Sequence, residues 1–98
     1  MRNRETEFTN PAGHPVSGWT TSNGTWYYLD NNGVAKIGWV NVNSKWFYLN
    51  PNADSNHATM KTGWVQDNGK WYYLDYSGAM VISTTIDGYK IGSDGALI

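Results

Sequence analysis

The sequence predicts an all-β protein, a solenoid of stacked β-hairpins with three full repeats and a degenerate C-terminal cap. A Gly-Trp pair is followed at a constant distance by an aromatic motif three times, as TWYYLD, KWFYLN and KWYYLD. Asn-Gly dipeptides separate the two parts of the first and third repeats, where they indicate tight hairpin turns. No apolar stripe with the helical period persists beyond a few residues. Helix is therefore not expected.

The repeats divide the chain into units of similar pattern. A polar leader or linker is predicted for residues 1–16 and the repeat module for residues 17–98. The second repeat carries five extra residues, in the stretch NPNADSNHAT, which has the composition of a loop. The last unit has Thr84 where a tryptophan is expected, as is typical of a terminal cap. The predicted repeat bounds are 18–37, 38–62, 63–83 and 84–98.

The turns determine which side chains share a face of each hairpin. Counting outward from the Asn-Gly turn of the third repeat pairs Trp64 with Tyr73. Because side chains alternate along a strand, Trp64, Trp71 and Tyr73 share one face of this hairpin. The other two repeats have the same aromatic face, formed by Trp19, Trp26 and Tyr28 and by Trp39, Trp46 and Tyr48. On the opposite face, the same alternation predicts a buried column of Leu29, Leu49 and Leu74.

The second repeat has Ser44 in place of the turn glycine. Asparagine tolerates a positive φ angle, whereas serine adopts one at a greater cost. We therefore expect the Asn43-Ser44 turn to be the least ideal of the three.

Composition excludes several classes of function. The 98 residues carry a formal net charge of −1, so no basic surface for nucleic acid or anionic membranes is expected. The chain has no cysteine, and therefore no disulfide framework or thiolate metal site. No apolar run is long enough to insert into a membrane, and the leader lacks the apolar core of a secretory signal peptide.

The sequence shows no catalytic constellation, since no base, nucleophile or acid pair recurs at matched positions. Asp30 and Asp75 follow the aromatic strands where the second repeat has Asn50, so we interpret these residues as turn formers. Asp54 and His57 in the insertion are too few to indicate a metal site. We therefore predict no enzymatic activity, no cofactor and no metal.

The aromatic faces admit a structural and a functional interpretation. Cross-strand Trp–Tyr pairs stabilise hairpins by about 0.2–1 kcal/mol each, so packing alone accounts for an aromatic stripe. Tryptophan nevertheless recurs where leucine or valine would pack, and no charged residue shares these faces. Gaps with aromatic walls suit a quaternary ammonium, held by cation–π attraction, or a sugar that stacks on a ring. Composition leaves both ligand classes open.

The third repeat, GWVQDNGKWYYLDYSGAMV, resembles the choline-binding, or cell-wall-binding, repeat of Gram-positive surface proteins and phage lysins. The resemblance covers about residues 17–98, in three good copies and one degraded copy. It implies an extracellular, cell-wall-associated module that binds choline on teichoic or lipoteichoic acid between successive hairpins. Related repeats bind carbohydrate, so a glucan or cell-wall glycan is the alternative ligand. A choline-linked homodimer through the cap is a further hypothesis.

The resemblance assigns to each cage two tryptophans of one hairpin, a tyrosine of the next and a methionine from a connecting loop. Ala35 leaves the first cage without its methionine, and the degraded cap leaves the third the least defined. Tyr28 is expected to lack a cage, since no full repeat precedes it. The implied site residues are Trp19, Trp26 and Tyr48 in the first cage, Trp39, Trp46, Tyr73 and Met60 in the second, and Trp64, Trp71, Met80 and Tyr89 in the third.

Overall fold

The computed structural model describes residues 17–98, so the predicted leader lies outside the described residues. Consecutive strands pair into four two-stranded sheets, and no helix occurs within residues 17–98, let alone one able to span a membrane. The prediction of an all-β chain of successive antiparallel hairpins is confirmed. The strands are β1 (Gly18–Ser22), β2 (Thr25–Leu29), β3 (Gly38–Val42), β4 (Lys45–Leu49), β5 (Gly63–Asp67), β6 (Lys70–Leu74), β7 (Thr84–Ile86) and β8 (Tyr89–Ile91).

The four hairpin turns share one backbone conformation. Both central residues have a positive φ angle in each of them, for example 52° at Asn68 and 78° at Gly69. Such turns match the right-handed twist of the flanking strands. Ser44, at a φ of 68°, is the one residue other than glycine at the second central position of these four turns. The second turn is therefore the most strained of them, as expected.

The pairing of β5 with β6 agrees with the count from the turn, since Trp64 faces Tyr73 and Gln66 faces Trp71. Ring contacts confirm that the aromatic side chains share a face. The ring centroids of Trp64 and Tyr73 lie 5.1 Å apart in an edge-to-face arrangement. Leu29, Leu49 and Leu74 have exposures of 1%, 0% and 0%. The predicted leucine positions are therefore core positions.

Each hairpin is followed by a connection that folds back on its second strand. Asp75 Oδ1 accepts hydrogen bonds from the backbone amides of Ser77 and Ala79, at 2.9 and 3.1 Å. Asp30 accepts from two amides of its own connection in the same way. The interpretation of these carboxylates as turn formers is confirmed. A residue near the end of each connection bridges a buried Leu or Ile, in the pairs Leu29–Ala35, Leu49–Met60, Leu74–Met80 and Ile91–Leu97.

The insertion of the second repeat lies between Asn50 and Ala58. The buried Asn50 side chain donates to Asp54 Oδ1 at 3.2 Å and to the Asn56 carbonyl at 3.0 Å. Ala58, at a φ of 67°, takes the left-handed conformation that glycine holds in the shorter connections. The extra residues are thus absorbed before Met60, which keeps its bridge to Leu49.

The chain divides into two compact units, whose described parts are 17–40 with Leu49–Met60 and Asn41–Tyr48 with Lys61–Ile98. In both, the end of a connection is hydrogen-bonded to the second strand of an earlier hairpin. The amides of Met60, Met80 and Leu97 donate to the carbonyls of Trp26, Trp46 and Trp71, at 3.0, 2.8 and 2.8 Å. This bond places each connection directly beside a tryptophan.

Candidate aromatic ligand site

An open cavity of about 390 Å³ lies between the β5–β6 hairpin and the C-terminal residues that follow it. Its walls are Trp64, Trp71, Tyr89 and Leu97. The volume falls within the range of small-molecule sites, and none of the four lining residues is charged. The edge of one ring meets the face of another across the cavity, since Trp64 and Tyr89 have centroids 5.9 Å apart and an interplanar angle of 85°.

The two tryptophans of the cavity have different roles in their own hairpin. Trp64 lies in β5 and packs edge-to-face on Tyr73, which fixes its orientation. Trp71 lies opposite Gln66 near the turn and is 41% exposed. The cavity therefore combines one ring held by the hairpin with one ring that faces solvent.

Tyr89 closes the cavity from the shortened cap hairpin. Strands β7 and β8 have three residues each, against five in β5 and β6, so Tyr89 follows the turn directly. The Ile91–Leu97 bridge corresponds to the Leu74–Met80 bridge. Counted back from these residues, Tyr89 corresponds to Tyr72 and not to Tyr73. The role of Tyr48 and Tyr73 that the sequence predicts for Tyr89 is therefore displaced by one residue.

The loop residue in this cavity is Leu97, which is not among the site residues predicted from the sequence. Met80 was grouped with Trp64 and Trp71, but its amide is bonded to the carbonyl of Trp46 and it is not among the lining residues. The Met80 side chain packs over Gly95, where an added Cβ would lie 2.5 Å from the Met80 sulfur. The grouping of this methionine is therefore corrected. The match of DGAL at 94–97 to SGAM at 77–80 is the signal that identifies Leu97.

Met60 shows the same displacement by one repeat. The sequence grouped it with Trp39 and Trp46, whereas its amide is bonded to the carbonyl of Trp26. The three later connections fold back past their own hairpins, so the amides of Met60, Met80 and Leu97 reach a tryptophan carbonyl of the preceding hairpin. The backbone of Met60 therefore lies beside Trp26, and the cage to which its side chain belongs stays a prediction.

The remaining predicted site residues show repeated geometry within their own hairpins. Trp19 and Trp26 have ring centroids 6.2 Å apart at an interplanar angle of 85°. Trp26 and Trp46 are 46% and 43% exposed, close to the value for Trp71. The first and second cages, which also involve Trp39, stay predictions. So does the absence of a cage at Tyr28, because the preceding residues lie outside the described range.

Two of the predicted tyrosines are engaged in the second unit. The buried Tyr48 donates a long hydrogen bond of 3.5 Å from its hydroxyl to Asp67 Oδ1. Burial, and then the charge of Asp67 and this hydrogen bond, raise the pKa of Tyr48. Tyr73 packs on Trp64. The Tyr48 bond therefore links β4 to β5 of the next hairpin, whereas the Tyr73 contact lies within its own hairpin.

Asp75, the carboxylate that follows β6, is bonded within its own turn. Partial burial raises the pKa of Asp75, but the hydrogen bonds from Ser77 and from the Ala79 amide, with the charge of Lys45, leave that pKa below its usual value. Within residues 17–98, no group of three metal-ligating side chains occurs. The chemistry available at the cavity is therefore that of neutral aromatic and aliphatic surfaces.

Two family models match the chain. A choline-binding repeat model matches residues 16–58, and a cell wall binding repeat model matches residues 62–80. The choline-binding domain of Spr1274 from Streptococcus pneumoniae is 41% identical, with a TM-score of 0.75 over 86% of this chain and 96% of that domain. This chain belongs to the choline-binding repeat family. Choline-binding repeats are binding modules of surface or cell-wall-associated proteins.

Longer proteins contain the same choline-binding repeat fold. A multimodular pneumococcal cell wall endolysin from phage Cp-1, solved in complex with choline, is 28% identical with a TM-score of 0.69. The match covers 100% of this chain and 32% of the endolysin. The autolysin LytC of Streptococcus pneumoniae is 21% identical over 84% of this chain and 23% of its own, and its TM-score of 0.63 shows a shared fold. No curated protein sequence matches significantly.

Proposed function

We propose that this chain is a non-catalytic module that binds choline groups on teichoic or lipoteichoic acid at the surface of a Gram-positive cell wall. The observation that carries the proposal is the cavity lined by Trp64, Trp71, Tyr89 and Leu97. Choline carries a positive charge without N–H donors, so it needs no hydrogen-bond acceptor from its site. Ring faces attract such a cation by about 0.5–2 kcal/mol each, depending on how far it is desolvated.

The same cavity discriminates against other amines by the cost of dehydration. A primary ammonium would lose hydrogen bonds to water that the lining residues do not replace, because none of them carries a carboxylate. The methyl groups of choline instead bury apolar surface against Trp71 and Leu97. The cavity thus suits a quaternary ammonium better than lysine-like or ethanolamine-like groups.

A repeated site suits a polymer that carries many copies of one small group. The second tryptophan of each full hairpin is exposed to a similar degree, in the residues Trp26, Trp46 and Trp71. We propose that each belongs to a choline cage. Linked weak sites on one polymer gain through effective concentration, so the module is expected to bind a choline-bearing polymer far more tightly than free choline.

A resin experiment separates choline binding from the carbohydrate alternative. The protein is passed over choline-derivatised resin and over dextran resin, and each column is washed with free choline. Choline recognition predicts retention on the first resin, elution by choline and no retention on dextran. Retention on dextran with indifference to choline would favour a glucan-binding function, and retention on neither resin would favour a purely structural repeat.

A neutral analogue tests the cation–π contribution. The compound 3,3-dimethylbutan-1-ol has the shape of choline but no charge. It should bind at least about tenfold more weakly than choline, because ring faces stabilise only the cation. Equal binding of the two compounds would show that apolar burial alone drives recognition.

A further inference from the structure

We propose that the loop of residues 51–57 is a saccharide subsite beside the first hairpin, which contacts the sugar that carries the choline group. The inference rests on the proposed choline function. It concerns the polar loop that the second repeat carries and the other connections lack.

The loop is held in one arrangement by bonds among its own polar groups. Asn50 Oδ1 accepts from the Asn52 amide at 3.0 Å, and the Asn56 amide donates to Asp54 Oδ1 at 2.9 Å. The His57 amide donates to the Asp54 carbonyl at 3.1 Å. The loop is therefore ordered before a ligand binds, which lowers the entropic cost of binding.

The loop lies next to the aromatic pair of the first hairpin. Its exit residue, Met60, donates its amide to the carbonyl of Trp26 at 3.0 Å. His57 is three residues before Met60, a distance of at most about 10 Å along an extended chain. A ligand that occupies the Trp19–Trp26 pair and extends beyond choline can therefore reach the loop.

The loop presents two acceptors, on Asp54 and His57, to which a hydroxyl group can donate. Asp54 Oδ1 takes both internal bonds, so its Oδ2 remains available to an outside donor. His57 Nδ1 lies 2.8 Å from the Asn52 carbonyl, an acceptor, so this nitrogen carries the proton. In the neutral ring, Nε2 is then an acceptor directed elsewhere. Asn52 and Asn56 add exposed amide groups.

These acceptors favour hydroxyl groups over phosphate. A saccharide donates hydrogen bonds from its hydroxyls to a carboxylate and an imidazole nitrogen. A phosphodiester has only acceptors, would be repelled by Asp54, and finds no Lys or Arg between residues 50 and 59. The loop chemistry therefore points to the sugar and not to the phosphate of a choline-bearing polymer.

The test follows the tryptophan indole N–H signals by NMR during titration with three ligands. The ligands are choline, phosphocholine, and phosphocholine esterified to the 6-hydroxyl of glucose. We expect the glucose ligand to bind about fivefold more tightly than choline at Trp26, a gain of the size of one or two net hydrogen bonds. At Trp71, which has no such loop beside it, the three ligands should bind equally.

Two variants assign the gain to the loop. The first exchanges residues 50–59 for Asp-Asn-Asn-Gly-Val, the sequence of residues 30–34, which forms the shorter connection elsewhere in the chain. It should remove the preference for the glucose ligand at Trp26. Asp54→Asn keeps the Oδ1 acceptor that orders the loop and replaces the second acceptor by a donor, so it should lower the preference about threefold.

Each outcome decides between the proposals. The saccharide subsite would be overturned if phosphocholine bound at Trp26 as tightly as the glucose ligand. It would also be overturned if the glucose ligand gained as much affinity at Trp71, or if its gain at Trp26 survived the loop exchange. Amide shifts of residues 51–57 with the glucose ligand, while choline moves no indole signal, would support the subsite and contradict the choline function. No shift with any ligand would contradict both.

Discussion

The β5–β6 hairpin and the β7–β8 cap share a scaffold but differ in the residues that line a ligand site. Both have a turn with two positive φ angles, a buried aliphatic residue and a bridge from that residue to the following connection. The cap strands are two residues shorter. When the Ile91–Leu97 bridge is aligned with the Leu74–Met80 bridge, Lys90 occupies the position of Tyr73. The cap contributes a wall through Tyr89 but has no tryptophan pair of its own.

This difference separates the positions that build the hairpin from those that bind. The cap has no tryptophan, yet Ile91 holds there the buried position that Leu74 holds in the full hairpin. Hairpin formation therefore depends on this buried residue and on the turn. Trp71 is half exposed in the full hairpin and has no counterpart in the cap. The comparison predicts that scaffold variants lose stability, whereas variants of the exposed rings lose mainly binding.

Leu74→Ala should have the largest effect, because this side chain is completely buried. We expect a loss of about 3 kcal/mol in the free energy of unfolding, the usual cost of emptying a buried leucine site. Urea unfolding followed by tryptophan fluorescence measures it. Ile82→Ala, at a half-exposed position in the same unit, is the control and should cost less than about 1 kcal/mol. A loss below 1 kcal/mol for Leu74→Ala would contradict its scaffold role.

Trp71→Ala should reduce choline affinity at the cavity at least tenfold, or about 1.4 kcal/mol, because it removes an exposed ring face. Trp71→Phe keeps a smaller ring and should lose roughly threefold. Calorimetric titration with choline gives the affinities, and urea unfolding gives the accompanying change in stability. If Trp71→Ala lost stability as severely as Leu74→Ala, the proposed separation of roles would be wrong.

Tyr89→Ala should weaken choline binding at the cavity by about fivefold, since one of three rings is lost. Tyr76→Ala provides a matched control, because Tyr76 is 95% exposed in the same unit and does not line the cavity. The indole signals of Trp64 and Trp71 report both variants. Equal losses from the two substitutions would mean that the cap contributes no wall.

Asp75→Asn should have the smallest effect and a dependence on pH. The pKa of Asp75 is lowered in the folded protein, so its carboxylate stabilises the fold above the ordinary aspartate pKa and loses that contribution as pH falls through the lowered value. Asparagine holds the equivalent place at Asn50, so the turn should survive with a loss of about 0.5 kcal/mol at pH 7. Urea unfolding at pH 7 and at successively lower pH should show this difference shrinking in acid. A difference that did not change as the pH was lowered would assign it to the shape of the side chain.

The hairpins were predictable from sequence because their determinants are local. The Asn-Gly turn fixes the register by counting, so the facing pair of Trp64 and Tyr73 and the burial of Leu74 follow from the alternation of side chains. The turn role of Asp75 follows similarly, from the replacement by Asn50 in another repeat. These features depend on residues within about ten positions of each other in the chain.

The placement of Met80 in the third cavity was wrong because the loop residue there depends on how far each connection folds back. Met80 follows Trp71 in sequence, yet its amide bonds to the carbonyl of Trp46, and Leu97 takes the place beside Trp71. Sequence order alone does not specify which hairpin a returning connection meets. The shortened cap likewise shifted Tyr89 into the register of Tyr72, since two residues are missing from each strand.

The most direct test of choline recognition is a choline titration monitored at the indole signals of Trp64 and Trp71. The proposed cage predicts saturable shifts of both signals. In Trp71→Ala the shift of the Trp64 signal should be lost, whereas Tyr76→Ala should retain both shifts. The absence of any saturable shift up to roughly 50 mM choline, where even a site of about −2 kcal/mol would be half filled, would contradict it.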